Sequence, residues 1–123
     1  ASVSLAALEG STSQTYVEEF MPNANLVTTK DYDTAVQMVL DGSVDALVAD
    51  YPICALTVLR HPNAGLTLAE PITIEPIGMA LPPGDAQLLN LVRNYLSTLQ
   101  LTGVLKRMQV KWFEDNAWLV LLP

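Results

Sequence analysis

The sequence predicts an α/β fold, and three observations carry that expectation. Short apolar runs rich in Val, Leu and Ala alternate with segments whose apolar residues recur at helical spacing. A capping or turn signal stands at nearly every junction between them. Half of the 123 residues are hydrophobic and only 15% are charged, which supplies a core and excludes a disordered chain.

The elements follow in order. Val3 to Leu8 reads as a buried strand bounded by Glu9-Gly10. Ser11-Thr12-Ser13-Gln14 then fits a capping box, in which Ser11 caps the first turn and the Gln14 side chain reaches back to its amide. Tyr16, Val17 and Phe20 form the apolar side of that helix, which Met21-Pro22-Asn23 ends. Asn25 to Thr29 is a second strand. Asp31 caps a helix carrying Tyr32, Ala35, Val36, Val39 and Leu40 as an apolar stripe, and Gly42 stops it. Val44 to Ala49 is a third strand ending at Asp50, and a helix from Pro52 to about Arg60 follows.

This alternation predicts a parallel or mixed sheet covered on both faces. Beyond it, residues 65–75 cross as extended chain, and Ile77 to Leu81 is a candidate strand. Asp85 caps a long helix with Leu88, Leu89, Val92, Leu96 and Leu99, broken at Thr102-Gly103. A last helix holds Val104, Leu105, Met108 and Trp112. The change of organisation near Pro76 is the best internal boundary, dividing residues 1–75 from 76–123.

The formal charge is −7, and ten of the thirteen acids lie in residues 1–75 beside only Lys30 and Arg60. An acidic surface repels phosphate backbones, so nucleic acid is a poor partner. Lys106, Arg107 and Lys111 read as the solvated face of a helix. No run approaches the roughly 20 apolar residues that span a bilayer. The single cysteine, Cys54, permits no internal disulfide.

Two places could hold chemistry. At Glu9-Gly10-Ser11-Thr12-Ser13 a tight strand-to-helix turn presents unpartnered backbone amides and hydroxyls, so it is either a plain capped turn or a receiver for a carboxylate. Asp50 ends the third strand, where ligands gather in open α/β sheets. It is either a helix cap or a partner for an ammonium group. Together the two would suit a zwitterion. Both phosphate-loop patterns, G-x-x-x-x-G-K-[ST] and G-x-G-x-x-G, are missing, as are histidine clusters and cysteine pairs, so no cofactor and no metal is expected. His61 precedes Pro62 in a turn, and the serines lack a Ser–His–acid arrangement. Glu70 and Glu75 are a weak carboxylate pair, and Trp112, Phe113 and Trp118 read as packing anchors.

With these residues in view, the chain resembles the carboxyl-terminal part of a family 3 extracellular solute-binding protein, the polar amino-acid receptor of bacterial ABC importers. The resemblance rests on the order and spacing of several pieces. They are Gly10-Ser11-Thr12 after a strand, Asp31-Tyr32-Asp33-Thr34-Ala35, Leu40-Asp41-Gly42-Ser43-Val44-Asp45-Ala46-Leu47-Val48-Ala49-Asp50, Glu75-Pro76-Ile77-Gly78-Met79-Ala80-Leu81-Pro82, Gly103-Val104-Leu105 and Lys111-Trp112-Phe113.

The resemblance implies a type II periplasmic binding protein-like fold, with residues 1–75 as the three-layer second lobe. Residues 76–123 would be a returning strand and helices that complete the first lobe. It implies that Ser11 and Thr12 bind the α-carboxylate of a small polar amino acid and Asp50 binds its α-amino group. Leu8 and Glu9 would border the pocket, and Ser13 would contribute a contact. The implied partners are the transmembrane permease subunits of an ABC importer, and the implied location is the periplasm or the extracellular face of the membrane.

The chain would then be a fragment lacking most of the first lobe, including the arginine that clamps the carboxylate. Arg60, Arg93 and Arg107 do not match that arginine's surroundings. Exposed apolar faces of residues 77–123 would favour a homo-oligomer or an element swap. Two other readings stay open: the sensing domain of a membrane signalling protein, and a two-lobed enzyme such as a dehydratase or lytic enzyme.

Overall fold

The computed structural model of the chain describes residues 2–74, 78–115, 117, 118 and 121. They fall into two compact units, Ala1–Leu68 and Ala69–Pro123. The sequence-based boundary at Pro76, Glu75 of the carboxylate pair and the first residue of the 77–81 strand lie outside the described residues. Residues 78–81, which are described, form no strand.

The first unit is built on a three-stranded parallel sheet. Strand β1, Ser4–Leu8, lies between β2, Asn25–Thr29, and β3, Ala46–Leu47, so the order is β2-β1-β3. Residues pair Ala6 with both Val27 and Leu47. The third strand is shorter than the sequence run Val44–Ala49 predicts. Its register is nevertheless extended by Asp45 N–H donating to the Ser4 carbonyl (2.8 Å) and Val48 N–H donating to the Ala6 carbonyl (2.9 Å). The Ser4 amide in turn donates to the Asp45 carboxylate at 2.7 Å, which pins the start of β1 to the start of β3.

Three helices complete the unit: α1, Thr12–Phe20; α2, Tyr32–Leu40; and α3, Tyr51–Arg60. The rung Val27–Ala6–Leu47 faces α2, whose Ala35, Met38 and Val39 pack on it together with Val44. Ala6 and Ala35 are both 0% exposed, and their small side chains let helix and sheet approach closely. Side chains alternate across a strand, so Leu5 and Ala7 point to the opposite face, and both are buried as well. The sheet is therefore covered on both sides. Val17 of α1 is the largest fully buried side chain, at 1% exposure. Phe20 departs from the predicted stripe: it is 66% exposed and stacks on Tyr16 at 4.9 Å between ring centroids. Phe20 is the last residue of α1, where the chain leaves the sheet.

In the second unit α4, Ala86–Leu101, is capped by Asp85, which accepts from the Leu88 amide at 2.9 Å. Gly103, at φ 72°, takes the left-handed conformation that separates α4 from α5, Val104–Gln109. A π-helical turn, Val110–Glu114, continues α5. There Lys106 pairs with Glu114 at 2.8 Å, the Lys111 ammonium lies 4.7 Å from the Trp112 ring centroid, and Trp112 meets Trp118 edge-on. Neither α4 nor α5 buries a residue.

Candidate functional site

Parallel strands end on one edge of a sheet, and that edge is where this unit assembles its polar groups. β1 leads into α1 toward β2, whereas the chain reaches β3 on the other side of β1. The reversal makes the gap between β1 and β3 a topological switch point, where loops diverge and leave a crevice. Ser11 and Thr12 follow β1, and Asp50 follows β3. The Ala6–Leu47 pairing and the Val48-to-Ala6 hydrogen bond place those two ends side by side. The structure thus places the residues that follow β1 and β3 at one edge of the sheet, after neighbouring strands.

The turn after β1 is tightly organised. Gly10 has φ 72°, a region that side-chain-bearing residues avoid. The Ser11 hydroxyl donates to the Leu8 carbonyl (2.7 Å) and accepts the Gln14 amide (3.1 Å). The other half of the capping box differs from the expectation. The Ser11 amide donates to the Leu8 carbonyl (3.2 Å), and the Gln14 side-chain oxygen instead accepts the Gly10 amide at 2.7 Å. The tight turn at Gly10 commits the Ser11 amide to closing the loop, so the glutamine reaches one residue further back.

Of the four amides that open α1, those of Ser11 and Gln14 are thereby used, while those of Thr12 and Ser13 have no acceptor among the described residues. Thr12 is exposed and Ser13 half-buried. The groups of this turn without a partner among the described residues are the Thr12 and Ser13 amides, while Ser11 holds the turn in shape. Leu8 is half-buried, Glu9 is exposed, and the Glu9 amide donates to the Thr29 carbonyl at 2.8 Å.

Asp50 occupies the cap position of α3 but makes no side-chain capping hydrogen bond. It is exposed, and its carboxylate is uncommitted on its own helix. By contrast, the Asp31 carboxylate accepts the Thr34 amide at 2.7 Å, and this bond holds it below the usual carboxylate range. One turn into α3, the Cys54 thiol donates to the Ala49 carbonyl at 3.6 Å, and partial burial pushes its pKa up. His61 is the carboxyl cap of α3, away from these groups in the chain. Among the described residues no cluster of His, Cys, Asp and Glu could hold a metal ion.

Tyr32 opens α2 and is half-buried, and its phenol is raised by burial first and then by the negative charges of Asp50 and Cys54. The stripe Tyr32, Ala35, Val36, Val39 showed that Tyr32 faces the sheet.

No family model matches the chain. The ABC transporter glutamine-binding protein of Bacillus subtilis is 28% identical over 110 residues, which span 89% of this chain and 40% of that protein. Among solved structures, an ancestral cationic amino acid solute-binding protein matches with a TM-score of 0.77 at 35% identity, over 90% of this chain and 47% of that one. Another structure of it is described as a precursor of cyclohexadienyl dehydratase. An ancestral arginine-binding protein bound to glutamine matches with a TM-score of 0.66 at 27% identity, over 92% of this chain and 51% of that one. The chain thus spans about half the length of the relatives it matches. It is similar to the carboxyl-terminal part of family 3 amino-acid solute-binding proteins.

Proposed function

We propose that this chain, similar in sequence and fold to the carboxyl-terminal part of amino-acid solute-binding proteins, carries one side of a site for a polar amino acid. A single observation carries the reading: a turn with two backbone amides that have no acceptor among the described residues, and an uncommitted carboxylate, follow neighbouring parallel strands. The Thr12 and Ser13 amides, with the Thr12 hydroxyl, receive the α-carboxylate, and Ser11, whose hydroxyl donates to the Leu8 carbonyl, holds the turn for them. The Asp50 carboxylate takes the α-ammonium through a charge-assisted hydrogen bond. Leu8 and Glu9 border the solute. Residues 1–75 act as one lobe, and residues 76–123 belong to a second.

Binding of this kind makes and breaks no covalent bond, so selectivity is a difference of affinities. The names of the relatives favour a receptor of an ABC importer over an enzyme. On this reading the protein works in the periplasm or on the extracellular face of the membrane and hands its solute to the permease subunits.

Calorimetric titration with free L-amino acids tests the proposal. Saturable binding is expected, weakened about tenfold or more by Asp50→Asn, because a hydrogen bond to a charged group contributes about 1.5–3 kcal/mol. Binding unaffected by Asp50→Asn would exclude the amine contact.

A further inference from the structure

We propose that Gln14 and Glu18 are positioning residues for the carboxylate end of the solute site. Glu18 orients the Gln14 side-chain amide, and Gln14 holds the turn that aims the Thr12 and Ser13 amides. This inference rests on the amino-acid reading above and adds two residues to the support of the same site.

Donors around the turn divide into committed and free. The Ser11 amide is taken by the Leu8 carbonyl and the Gln14 amide by the Ser11 hydroxyl. The Thr15 amide donates to the Ser11 carbonyl at 3.3 Å, and from there α1 closes on itself. The Gly10 amide has no backbone acceptor among the described residues, and its partner is the Gln14 side-chain oxygen at 2.7 Å. Gln14 therefore holds the turn twice, at Ser11 through its own amide and at Gly10 through its side chain. Gly10 stands at φ 72°, where a glycine backbone is least restricted, so a fixed amide there fixes the direction in which α1 begins. The Thr12 and Ser13 amides lie between the held residues and remain free.

A glutamine side chain presents either an oxygen or an NH2 group, and only the oxygen can accept the Gly10 amide. Glu18 decides which. One turn further along α1, its carboxylate accepts from Gln14 Nε2 at 2.7 Å. An ionised carboxylate only accepts, so it draws the NH2 group to itself and leaves the oxygen for Gly10. Residues four apart are neighbours on a helix surface, so the relay is complete within α1 and its cap. Glutamine also accepts at this position without a charge. A glutamate, the other residue that completes a capping box, would set a negative charge on the turn that receives the carboxylate.

The experiment uses the full chain with L-glutamine and L-arginine as calorimetric probes, and follows the Gly10, Thr12 and Ser13 amide resonances by NMR. Gln14→Ala is expected to weaken binding about threefold to tenfold and to shift all three resonances in the free chain. At position 18 the sign of the effect discriminates. Glu18→Lys sets a donor where an acceptor is required, so binding is expected to weaken about threefold, with the Gly10 resonance moving as in Gln14→Ala. The added positive charge acting alone would instead strengthen binding of a carboxylate. Glu18→Gln keeps an acceptor oxygen and is expected to rescue affinity to within about twofold of the unsubstituted chain.

Glu18 is exposed, so its variants carry the test even if Gln14→Ala does not fold. Binding unchanged by Gln14→Ala, unchanged or strengthened by Glu18→Lys, or as weak in Glu18→Gln as in Glu18→Lys would overturn the relay and leave the amino-acid reading standing. Absence of any binding by the unsubstituted chain would overturn both.

Discussion

The Val48 amide donates to the Ala6 carbonyl at 2.9 Å, tying the strand that ends at Asp50 to the strand that ends in the Gly10-Ser11 turn. That bond, more than either candidate residue, decides that the turn and Asp50 follow neighbouring strands. Asp45 and Ser4 fix the same register at the other end of the strands, through both a backbone bond and a carboxylate bond. Site geometry here is therefore a consequence of strand pairing.

Ser11→Ala removes the acceptor of the Gln14 amide and the donor to the Leu8 carbonyl. Loss of such a cap is expected to destabilise the chain by about 1 kcal/mol in urea unfolding. Amino-acid affinity should fall as well, because the Thr12 and Ser13 amides lose their fixed aim. An unchanged affinity would show that the turn keeps its shape without the hydroxyl.

Asp50→Asn separates site from scaffold. Its carboxylate makes no capping bond, so the substitution is expected to leave the thermal midpoint of the free chain within about 1 °C, since surface changes of this kind shift stability little. Only the midpoint measured with saturating amino acid should drop. Loss of stability without ligand would reveal a structural role for Asp50.

Ala35→Leu tests the close approach of α2 to the sheet. With Ala6 and Ala35 both fully buried, the added carbons have no room, and overpacking of this kind is expected to destabilise the unit by about 1–3 kcal/mol. The same substitution at exposed Gln37 should be nearly neutral in denaturant unfolding.

The pH dependence has a definite sign at Asp31. Its folded pKa is lowered by the Thr34 amide, so its contribution to stability is present above the ordinary aspartate value of 3.8 and disappears as pH falls through the lower folded value. Acid unfolding of Asp31→Asn is therefore expected to be shallower below pH 3.8 than that of the unsubstituted chain. At the alkaline end the raised pKa values of Cys54 and Tyr32 act in the opposite sense. Their contributions are present below the ordinary values of 9.0 and 10.0 and are lost as pH rises through the higher folded values. Cys54 should accordingly react more slowly with a thiol reagent at neutral pH than an exposed cysteine does.

Helix α4 buries none of its sixteen residues, and Leu91 and Leu101 are 66% and 88% exposed. Apolar surface of that extent favours association. Sedimentation is expected to show a concentration-dependent increase in mass, abolished by Leu91→Glu with Leu101→Glu. A monomer at all concentrations would show that this face tolerates water.

Local chemistry is what the sequence determined by itself. Asp31, Ser11 and Asp85 announced their helices because a short acceptor beside a periodic run satisfies amides within the same few residues. Asn25–Thr29 announced its strand through composition alone. The candidate pair Ser11–Asp50 was legible because a parallel sheet must place every strand end on one edge.

Tertiary structure decided the rest, since these features depend on partners far away in the chain. It set the order β2-β1-β3, and with it the neighbours of Asp50. It left Phe20 in solvent, where its periodicity promised burial, and it trimmed β3 to Ala46–Leu47. Periodicity reports which face of an element is apolar, and only packing reports what that face meets.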